Sequence, residues 1–213
     1  MQLSKSKMKD KIFKLYNELY DIYGNSPSAV KARDSMQQYL RFKELVNIIN
    51  LKNNDKVLDI GCGLGDLSKY LKQSKFNVQY LGVDFVDGFI KTARKQYQNS
   101  KTKFLKLDIK NKDFPKKYDW LILSGLFNDR KKNADKFMFK IIQKMFKSAN
   151  KGIAFNSLSK YVDYEDRSLF YSHPDKVVQF CIKNLSKYVV LKTNYQLKKN
   201  TIPFEYTIAV FKK

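Results

Sequence analysis

A glycine-rich turn is the clearest chemical signal in the sequence. It reads Gly61-Cys62-Gly63-Leu64-Gly65 and follows an apolar run that ends at Asp59 and Ile60. Glycines at such a turn let the backbone approach a ligand closely because no Cβ intervenes. A helix that begins after the turn adds free N–H donors and a dipole that favours a carboxylate. The turn therefore predicts a cofactor site, although its third glycine comes one position too early for the nicotinamide fingerprint Gly-x-Gly-x-x-Gly.

Carboxylates recur at the ends of the first three predicted strands. Asp59 ends the first, Asp84 the second and Asp108 the third. Each one alone could be a helix cap or a solvated turn residue. Three of them at consecutive strand ends favour contact with a single ligand, because the carboxyl ends of parallel strands form the ligand-binding edge of such sheets.

The stretch from Val57 to Asp66 resembles motif I of the class I S-adenosylmethionine-dependent methyltransferases, an acidic residue followed by Gly-x-Gly-x-Gly. The resemblance covers roughly residues 56–213 and implies methyl transfer with S-adenosyl-L-methionine as cofactor. It implies that Asp59 binds the cofactor ammonium, Asp84 the ribose, and that Asp108 lies near the adenine amine. The predicted cofactor-binding residues are Asp59, Gly61, Cys62, Gly63, Gly65, Asp84, Phe85, Asp108, Ile109, Ser124, Gly125 and Arg41.

Two of these residues leave alternatives open. Cys62 fits a space-filling role inside the turn better than that of a nucleophile. Arg41, on the second predicted helix, could reach the cofactor carboxylate or an anionic acceptor, or could be a plain surface arginine. Cys62 and Cys181 are the two cysteines, and they have no metal-ligand spacing and cannot form a disulfide framework. A reducing, cytoplasmic location is therefore expected.

The sequence after the fourth predicted strand argues against two nucleic-acid subclasses. Enzymes that methylate exocyclic amines often carry Asn/Asp-Pro-Pro-Tyr/Phe there, whereas this chain has Ser124-Gly125-Leu126-Phe127-Asn128. Cytosine C5 methyltransferases need a Pro-Cys nucleophile, which neither cysteine provides. RNA ribose and other base methyltransferases stay open. Metal-dependent catechol-type chemistry would need clustered acidic residues, and because only Asn128 and Asp129 are present, no metal is predicted.

The segment 156–173 concentrates Asn, Ser, Tyr and Asp between a strand and a helix. With residues 124–128 it resembles a group of uncharacterised bacterial methyltransferases, some associated with saccharide or secondary-metabolite pathways; the alternative is a polar loop over the cofactor. His173 would be the natural general base for a hydroxyl acceptor, although it also fits an incidental place at a helix N-terminus. The rival bases are Asp163 and Tyr164, and the predicted substrate-binding residues are Asn128, Asn156, Tyr161 and Tyr171.

The spacing of apolar residues predicts which elements position these groups. One helix is expected over about residues 4–23, and a second from Pro27 to Ile49 with Ser26 as its N-cap. Strands and helices then alternate, which predicts a parallel sheet. The predicted strands are Lys56–Ile60, Val78–Asp84, Phe104–Asp108, Trp120–Leu123, Gly152–Phe155, Val189–Leu191 and Tyr206–Phe211.

No helix separates the last two strands, so these can pair only antiparallel. The predicted fold class is α/β, a Rossmann-like, seven-stranded, mostly parallel sheet with an antiparallel terminal hairpin and helices on both faces. We expect a single methyltransferase domain over residues 1–213, with residues 1–50 as an N-terminal helical cap and 51–213 as the catalytic core. The cap would cover the cofactor, help form the acceptor pocket or mediate dimerisation, so a monomer or a homodimer is expected.

Charge is the main compositional feature. Lysine and arginine number 42 against 20 acidic residues, a net charge of +22. Such an excess often marks a nucleic-acid partner, but lysine is spread from end to end and accompanies abundant Asn, Ile and Tyr, as an AT-rich genome would produce. No apolar run reaches the roughly 20 residues that a membrane helix needs, and no membrane partner is predicted.

Three functions follow from these observations. The first is an O- or N-methyltransferase that acts on a small polar molecule or a saccharide, favoured by the Tyr- and Asn-rich segment 156–173. The second is an RNA methyltransferase that uses the basic surface. The third is a non-catalytic protein that binds S-adenosylmethionine.

Overall fold

Seven strands pair into one sheet at the centre of the protein, in a computed structural model that describes residues 14–30 and 34–213. The order across the sheet is β3-β2-β1-β4-β5-β7-β6. Neighbours from β3 to β5 run parallel, and β7 is antiparallel to both β5 and β6. The predicted fold class is confirmed. The strands are β1 Lys56–Ile60, β2 Gln79–Asp84, β3 Thr102–Lys106, β4 Tyr118–Leu123, β5 Ala149–Leu158, β6 Val189–Lys192 and β7 Glu205–Phe211.

Helices cover both faces of this sheet. Residues 14–23 are helical and form α1. The others are α2 Ser35–Ile48, α3 Asp66–Gln73, α4 Asp87–Tyr97, α5 Ala134–Ser148 and α6 Pro174–Asn184, with short 3-10 turns at Pro27–Val30 and Leu126–Asn128. No helix in the described part of the chain is long and apolar enough to cross a membrane.

The side chains of β1 show how the sheet divides the core. Val57 faces the cluster formed with α2, α3 and α4, whereas Leu58 and Ile60 face the cluster formed with α5 and α6. All three are fully buried, as expected for a parallel strand covered on both faces. The chain winds from β1 towards β3 on one side and from β4 towards β5 on the other. The crevice at the carboxyl ends of β1 and β4 is thus the switch point where such sheets bind ligands.

Several strands are longer than predicted, and two boundary differences bear on the site. The second helix begins at Ser35, where the side chain of Asp34 accepts from the backbone N–H of Met36, and not at Pro27. Residues Pro27–Val30 form a separate 3-10 turn instead. The third strand ends at Lys106, so Asp108 lies two residues beyond it. Of the predicted first helix, residues 4–13 lie outside the described residues.

Candidate active site

The glycine turn adopts a backbone conformation that favours glycine at three of its positions. Gly61, Gly63 and Gly65 have φ values of 75°, 53° and 89°, in the left-handed region that residues with a Cβ disfavour. The N–H groups of Gly61 and Cys62 both donate to the carbonyl of Val83, at 2.8 and 3.1 Å. These bonds tie the turn to the carboxyl end of β2, next to Asp84.

The carboxylate of Asp84 holds two backbone segments together. Its Oδ2 accepts from the N–H of Gly63 at 3.1 Å and its Oδ1 from the N–H of Val86 at 2.9 Å. Burial raises the pKa of Asp84 to about 6, against the lowering effect of these hydrogen bonds. Each carboxylate oxygen can accept a further bond, so the group keeps the capacity to receive the two ribose hydroxyls expected from the sequence.

The pKa of Asp59 is raised further than that of Asp84. Its Oδ2 accepts from the hydroxyl of Tyr80 at 2.6 Å. Burial raises the pKa of Asp59 to about 7, and the nearby Asp84 and Asp66 raise it further against the opposing bond from Tyr80. Buried carboxylates close enough to oppose one another's ionisation suit a cationic ligand, because a positive charge favours their ionised forms. S-adenosylmethionine, with its sulfonium and ammonium, fits this electrostatic environment.

Asp108, after β3, and Cys62, within the glycine turn, have structural surroundings. Asp108 accepts from the N–H of Lys110 at 3.0 Å and from the side chain of Asn111 at 2.9 Å, so it braces the bend after β3. The next residue, Ile109, is buried in the core. Cys62 is buried, and burial holds the pKa of its thiol well above the usual range. A thiol of this kind is not a nucleophile at neutral pH.

The N-terminal residues contact the site directly, which the sequence indicated only in general terms. A Cβ added to Gly63 would lie 2.8 Å from Cγ1 of Val30. The hydroxyl of Tyr16 donates to Asp129 at 2.9 Å, and its ring meets Phe85 edge-on at 6.1 Å. Tyr16 lies within the helix that apolar spacing predicted over about residues 4–23. Its role at the site was missed, because periodicity predicts a buried face but not what that face covers.

The turn after β4 packs on the glycine turn from the other side. Gly125 has a φ of 73°, and a Cβ added to Gly61 would lie 2.7 Å from Cδ1 of Leu126. The N–H of Gly125 donates to Oδ1 of Asn156 at 2.8 Å. The two turns that follow β1 and β4 are thus in contact across the switch point.

Asn156 belongs to a buried polar network. Its Nδ2 donates to Oε1 of Glu205 at 2.7 Å, and Nε of Arg41 donates to Oε2 of the same carboxylate at 2.8 Å. Asn156 is completely buried and supports Gly125, and its role in substrate binding stays a prediction. The guanidinium of Arg41, predicted to bind the cofactor, is paired with Glu205. Glu205 was not predicted at the site, because an acidic residue at the start of a terminal strand is usually exposed to solvent.

The segment 159–173 is attached to the residues after β4. The N–H of Phe170 donates to the carbonyl of Asn128 at 2.9 Å, and Asp129 and Leu169 form an antiparallel bridge. Oδ1 of Asn128 is buried without a hydrogen-bond partner among the described residues. The hydroxyl of Tyr171 accepts from the N–H of Asp166 at 3.1 Å and so braces the loop.

Tyr161 and His173 come together beyond the carboxyl end of β5. Their ring centroids are 5.7 Å apart in an edge-on arrangement. The hydroxyl of Tyr161 donates to Oδ1 of Asp175 at 2.7 Å, although the Tyr161 side chain is 61% exposed. Asp163 and Tyr164 are exposed on the same loop, and Tyr164 is 80% exposed. Sequence reasoning missed Asp175, although its place in the first turn after His173 was visible.

No group of three or more His, Cys, Asp or Glu side chains that could hold a metal ion occurs within residues 14–30 and 34–213.

Comparison with known proteins identifies the family. The family model for the methyltransferase domain matches residues 51–190. The chain belongs to this family. The assignment confirms the predicted methyltransferase class and supports S-adenosyl-L-methionine as the cofactor. The matched range contains the glycine turn, the three strand-end carboxylates and the segment 156–173.

Individual methyltransferases extend the comparison. The Mycobacterium tuberculosis protein Rv1506c, whose methyltransferase name specifies no acceptor, is 27% identical over 179 residues, 78% of this chain and 99% of that protein. The malonyl-[acyl-carrier protein] O-methyltransferase of Acetivibrio thermocellus is 31% identical over 85 residues, 39% of this chain and 30% of that enzyme.

A solved methyltransferase shows the same fold over the whole length. The magnesium protoporphyrin IX methyltransferase of Synechocystis with bound SAH has a TM-score of 0.66 and is 13% identical, with 100% of this chain and 99% of that chain covered. At this level of identity the likeness concerns the fold.

Proposed function

We propose that the protein transfers the methyl group of S-adenosylmethionine to a hydroxyl, or an amine, of a small polar molecule or saccharide. The observation that carries this proposal is the cluster of Tyr161, His173 and Asp175 beyond the carboxyl end of β5. An aromatic ring, an imidazole and a carboxylate beside one another suit a polyhydroxyl acceptor, because rings pack on sugar faces while polar groups bind hydroxyls.

The cofactor would be held by the glycine turn and the strand-end carboxylates. Asp84 would receive the ribose hydroxyls, Asp59 would favour the ammonium, and Asp108 would lie towards the adenine. When bound, the cofactor supplies an electrophilic methyl group on a sulfonium. The buried acids would stabilise its positive charge in the ground state, and Leu126 with the N-terminal Tyr16 would limit the access of water.

His173 would act on the acceptor. Methyl transfer is an in-line displacement, so the protein mainly has to position and desolvate the attacking oxygen. As that oxygen forms its bond to the methyl carbon it loses a proton, which the imidazole of His173 would accept. Asp175 lies beside this imidazole, and the hydrogen bond from the hydroxyl of Tyr161, with a smaller effect of His173, lowers the pKa of its carboxyl.

Transfer of a labelled methyl group into fractionated bacterial extract tests the proposal. Label is expected in the small-molecule or glycan fraction. With that fraction as acceptor, His173→Gln should lower kcat about 100-fold, the usual scale for loss of a general base, while binding of S-adenosylhomocysteine measured by calorimetry stays unchanged. Asp163→Asn, which removes a rival base on the exposed part of the same loop, should leave kcat within about twofold if His173 is the base. Equal rates in all three proteins would remove His173 from the mechanism.

RNA is the second candidate acceptor. The net charge of +22 favours it, and label recovered in RNA would replace the small-molecule proposal. Absence of label in every fraction, with tight binding of the cofactor, would support a non-catalytic S-adenosylmethionine-binding protein.

A further inference from the structure

Positive charge is concentrated on one face of the protein. The segments 109–117 and 130–147 contain 11 of the 42 lysines and arginines but 2 of the 20 acidic residues. These 27 residues are about an eighth of the chain, so cations are twice as dense there as in the sequence as a whole. A uniform compositional bias towards lysine does not account for this difference. We call these two segments the α5 basic face.

Contacts between the two segments make them one surface. Nζ of Lys144 on α5 donates to the carbonyl of Ile109 at 2.9 Å and lies 4.8 Å from the ring centroid of Phe114. Nζ of Lys131 lies 3.4 Å from the ring centroid of Phe137, and Nζ of Lys110 lies 5.8 Å from the same centroid. The lysines of both segments are thus held side by side by packing.

The solvent side of α5 carries a regular row of cations. Lys136, Lys140 and Lys147 are exposed and occupy positions i, i+4 and i+11, which share one side of a helix. At 1.5 Å per residue the row is about 16 Å long. A nucleic-acid strand presents a phosphate about every 3.4 Å, so the row could follow about five phosphates.

Few carboxylates on the protein neutralise these cations. Within the described residues, Lys144 alone of this face lies within 4.0 Å of a carboxylate, that of the exposed Asp113. Burial lowers the pKa of Lys131 to about 8, and the neighbouring Lys110 lowers it further although Asp129 opposes this. The crowded ammonium groups would therefore be stabilised by an external polyanion.

The face suits a nucleic acid better than an anionic membrane. A helix that lies on a membrane inserts an apolar side between the lipids. The apolar side of α5, which includes Met138, Ile141 and Ile142, is buried against the sheet. No large hydrophobic side chain of either segment is exposed. Attraction to a phosphate backbone needs only the charges.

We propose that the α5 basic face docks RNA along its sugar–phosphate backbone. It extends from the carboxyl edge of the sheet, because Lys110 follows Asp108 and Arg130 follows Asp129, the partner of Tyr16. A strand bound there would be led to the site. The choice of RNA over DNA rests on the second candidate function, an RNA acceptor, since ribose carries the additional hydroxyl that such a site could methylate or recognise.

Fluorescence anisotropy with a labelled oligouridylate of about twenty nucleotides tests the docking without catalysis. We expect binding that weakens steeply with salt. The triple variant Lys136→Glu, Lys140→Glu, Lys147→Glu should lose at least tenfold in affinity and reduce the slope of log K against log salt by about two to three. The matched control, Lys43→Glu, Lys72→Glu, Lys95→Glu, changes exposed lysines of α2, α3 and α4 by the same total charge and should lose less than about threefold.

The remaining outcomes decide against the proposal. Equal losses in the two triple variants would mean that net charge alone, and not this face, attracts RNA. Equal affinity for the matching oligothymidylate would remove the preference for RNA. Binding of vesicles that contain phosphatidylserine, with none of the oligouridylate, would assign the face to a membrane. Because S-adenosylhomocysteine binding is measured on the same proteins, a failure of the cofactor site would be recognised separately from a failure of docking.

Discussion

Asn156 fixes the turn that carries Gly125 by accepting its N–H at 2.8 Å from inside the core. The same side chain donates to Glu205 at 2.7 Å, and Glu205 receives Arg41 at 2.8 Å. Side chains of β5, β7 and α2 therefore form one chain of hydrogen bonds that ends at the N–H of Gly125, at the switch point. A site that must hold an acceptor against a cofactor depends on the rigidity of such turns.

Replacement of Asn156 by alanine should be costly for stability. The Asn156→Ala variant leaves the N–H of Gly125 and an oxygen of Glu205 without their partner, and each unsatisfied buried group costs about 1–3 kcal/mol. We expect the free energy of unfolding in urea to fall by at least that amount. Asn150→Ala changes an exposed asparagine of the same strand and should alter it by less than about 0.5 kcal/mol. Similar values for both variants would mean that the network contributes nothing to stability.

Substitutions of Arg41 and Glu205, which form an ion pair, should have strongly coupled effects on the free energy of unfolding. Glu205 has a side chain that is 1% exposed, and Arg41→Met would leave its carboxylate buried without a cation. Loss of one partner of a buried pair costs roughly 3–5 kcal/mol. The double variant Arg41→Met/Glu205→Gln should be more stable than Arg41→Met alone, because the neutral amide can still accept from Asn156. A double-mutant cycle measures this coupling, and simple additivity would contradict it.

Cofactor affinity should rise with pH. Burial raises the pKa of Asp59 to about 7 and that of Asp84 to about 6. Acids with raised pKa values stabilise the fold below their unfolded pKa near 4, and this contribution is lost as the pH rises towards 7. A cationic ligand binds the ionised forms, so calorimetry should show about tenfold tighter binding of S-adenosylmethionine at pH ~7.5 than at pH ~5.5.

Two controls separate this effect from general pH sensitivity. S-adenosylhomocysteine lacks the sulfonium charge and should show a smaller pH dependence. Asp59→Asn should flatten the dependence for S-adenosylmethionine. An affinity that is constant over this range in the unmodified protein would mean that the buried acids do not face the cofactor's cations.

The contact between Val30 and Gly63 predicts a steric effect with a rescue. Gly63→Ala would place a Cβ 2.8 Å from Cγ1 of Val30, at a φ of 53° that costs about 1–2 kcal/mol for residues other than glycine. We expect weaker binding of S-adenosylhomocysteine and faster proteolytic cleavage within residues 14–30. Val30→Ala in the same chain should restore resistance to the protease but not the whole of the affinity. Unchanged cleavage of Gly63→Ala would show that these residues do not depend on the turn.

Local patterns were sufficient to predict much of the fold and the close-packed glycine turn after β1. Some features depend only on a few neighbouring residues and can therefore be predicted from the sequence. They include glycines at positions that need a positive φ and carboxylates at or near successive strand ends. The start of α2 was misplaced because Ser26 and Pro27 fit a helix N-terminus locally, whereas the chain forms a 3-10 turn that packs Ala29 into a small N-terminal core.

Residues brought in by long-range packing were not predicted in their observed roles. Glu205 meets Asn156 only because β7 pairs with β5, and Tyr16 meets Asp129 across 113 residues of sequence. Asn156 was expected at the substrate on the basis of its residue type. Its hydrogen bonds to Gly125 and Glu205 depend on the buried side of β5, which composition alone does not indicate.

The pairing of Arg41 with Glu205 also has a consequence for the order of folding. The two residues are 164 positions apart, whereas Tyr80 and Asp59, which join β2 to β1, are 21 apart. Closing long loops costs more chain entropy and slows folding. The cofactor half can therefore assemble early from short-range contacts, while the turn at Gly125 gains its support only when the terminal hairpin docks. An intermediate that binds cofactor before its acceptor side is ordered is the expected result, and pulse-labelled hydrogen exchange at the Gly125 amide would detect it.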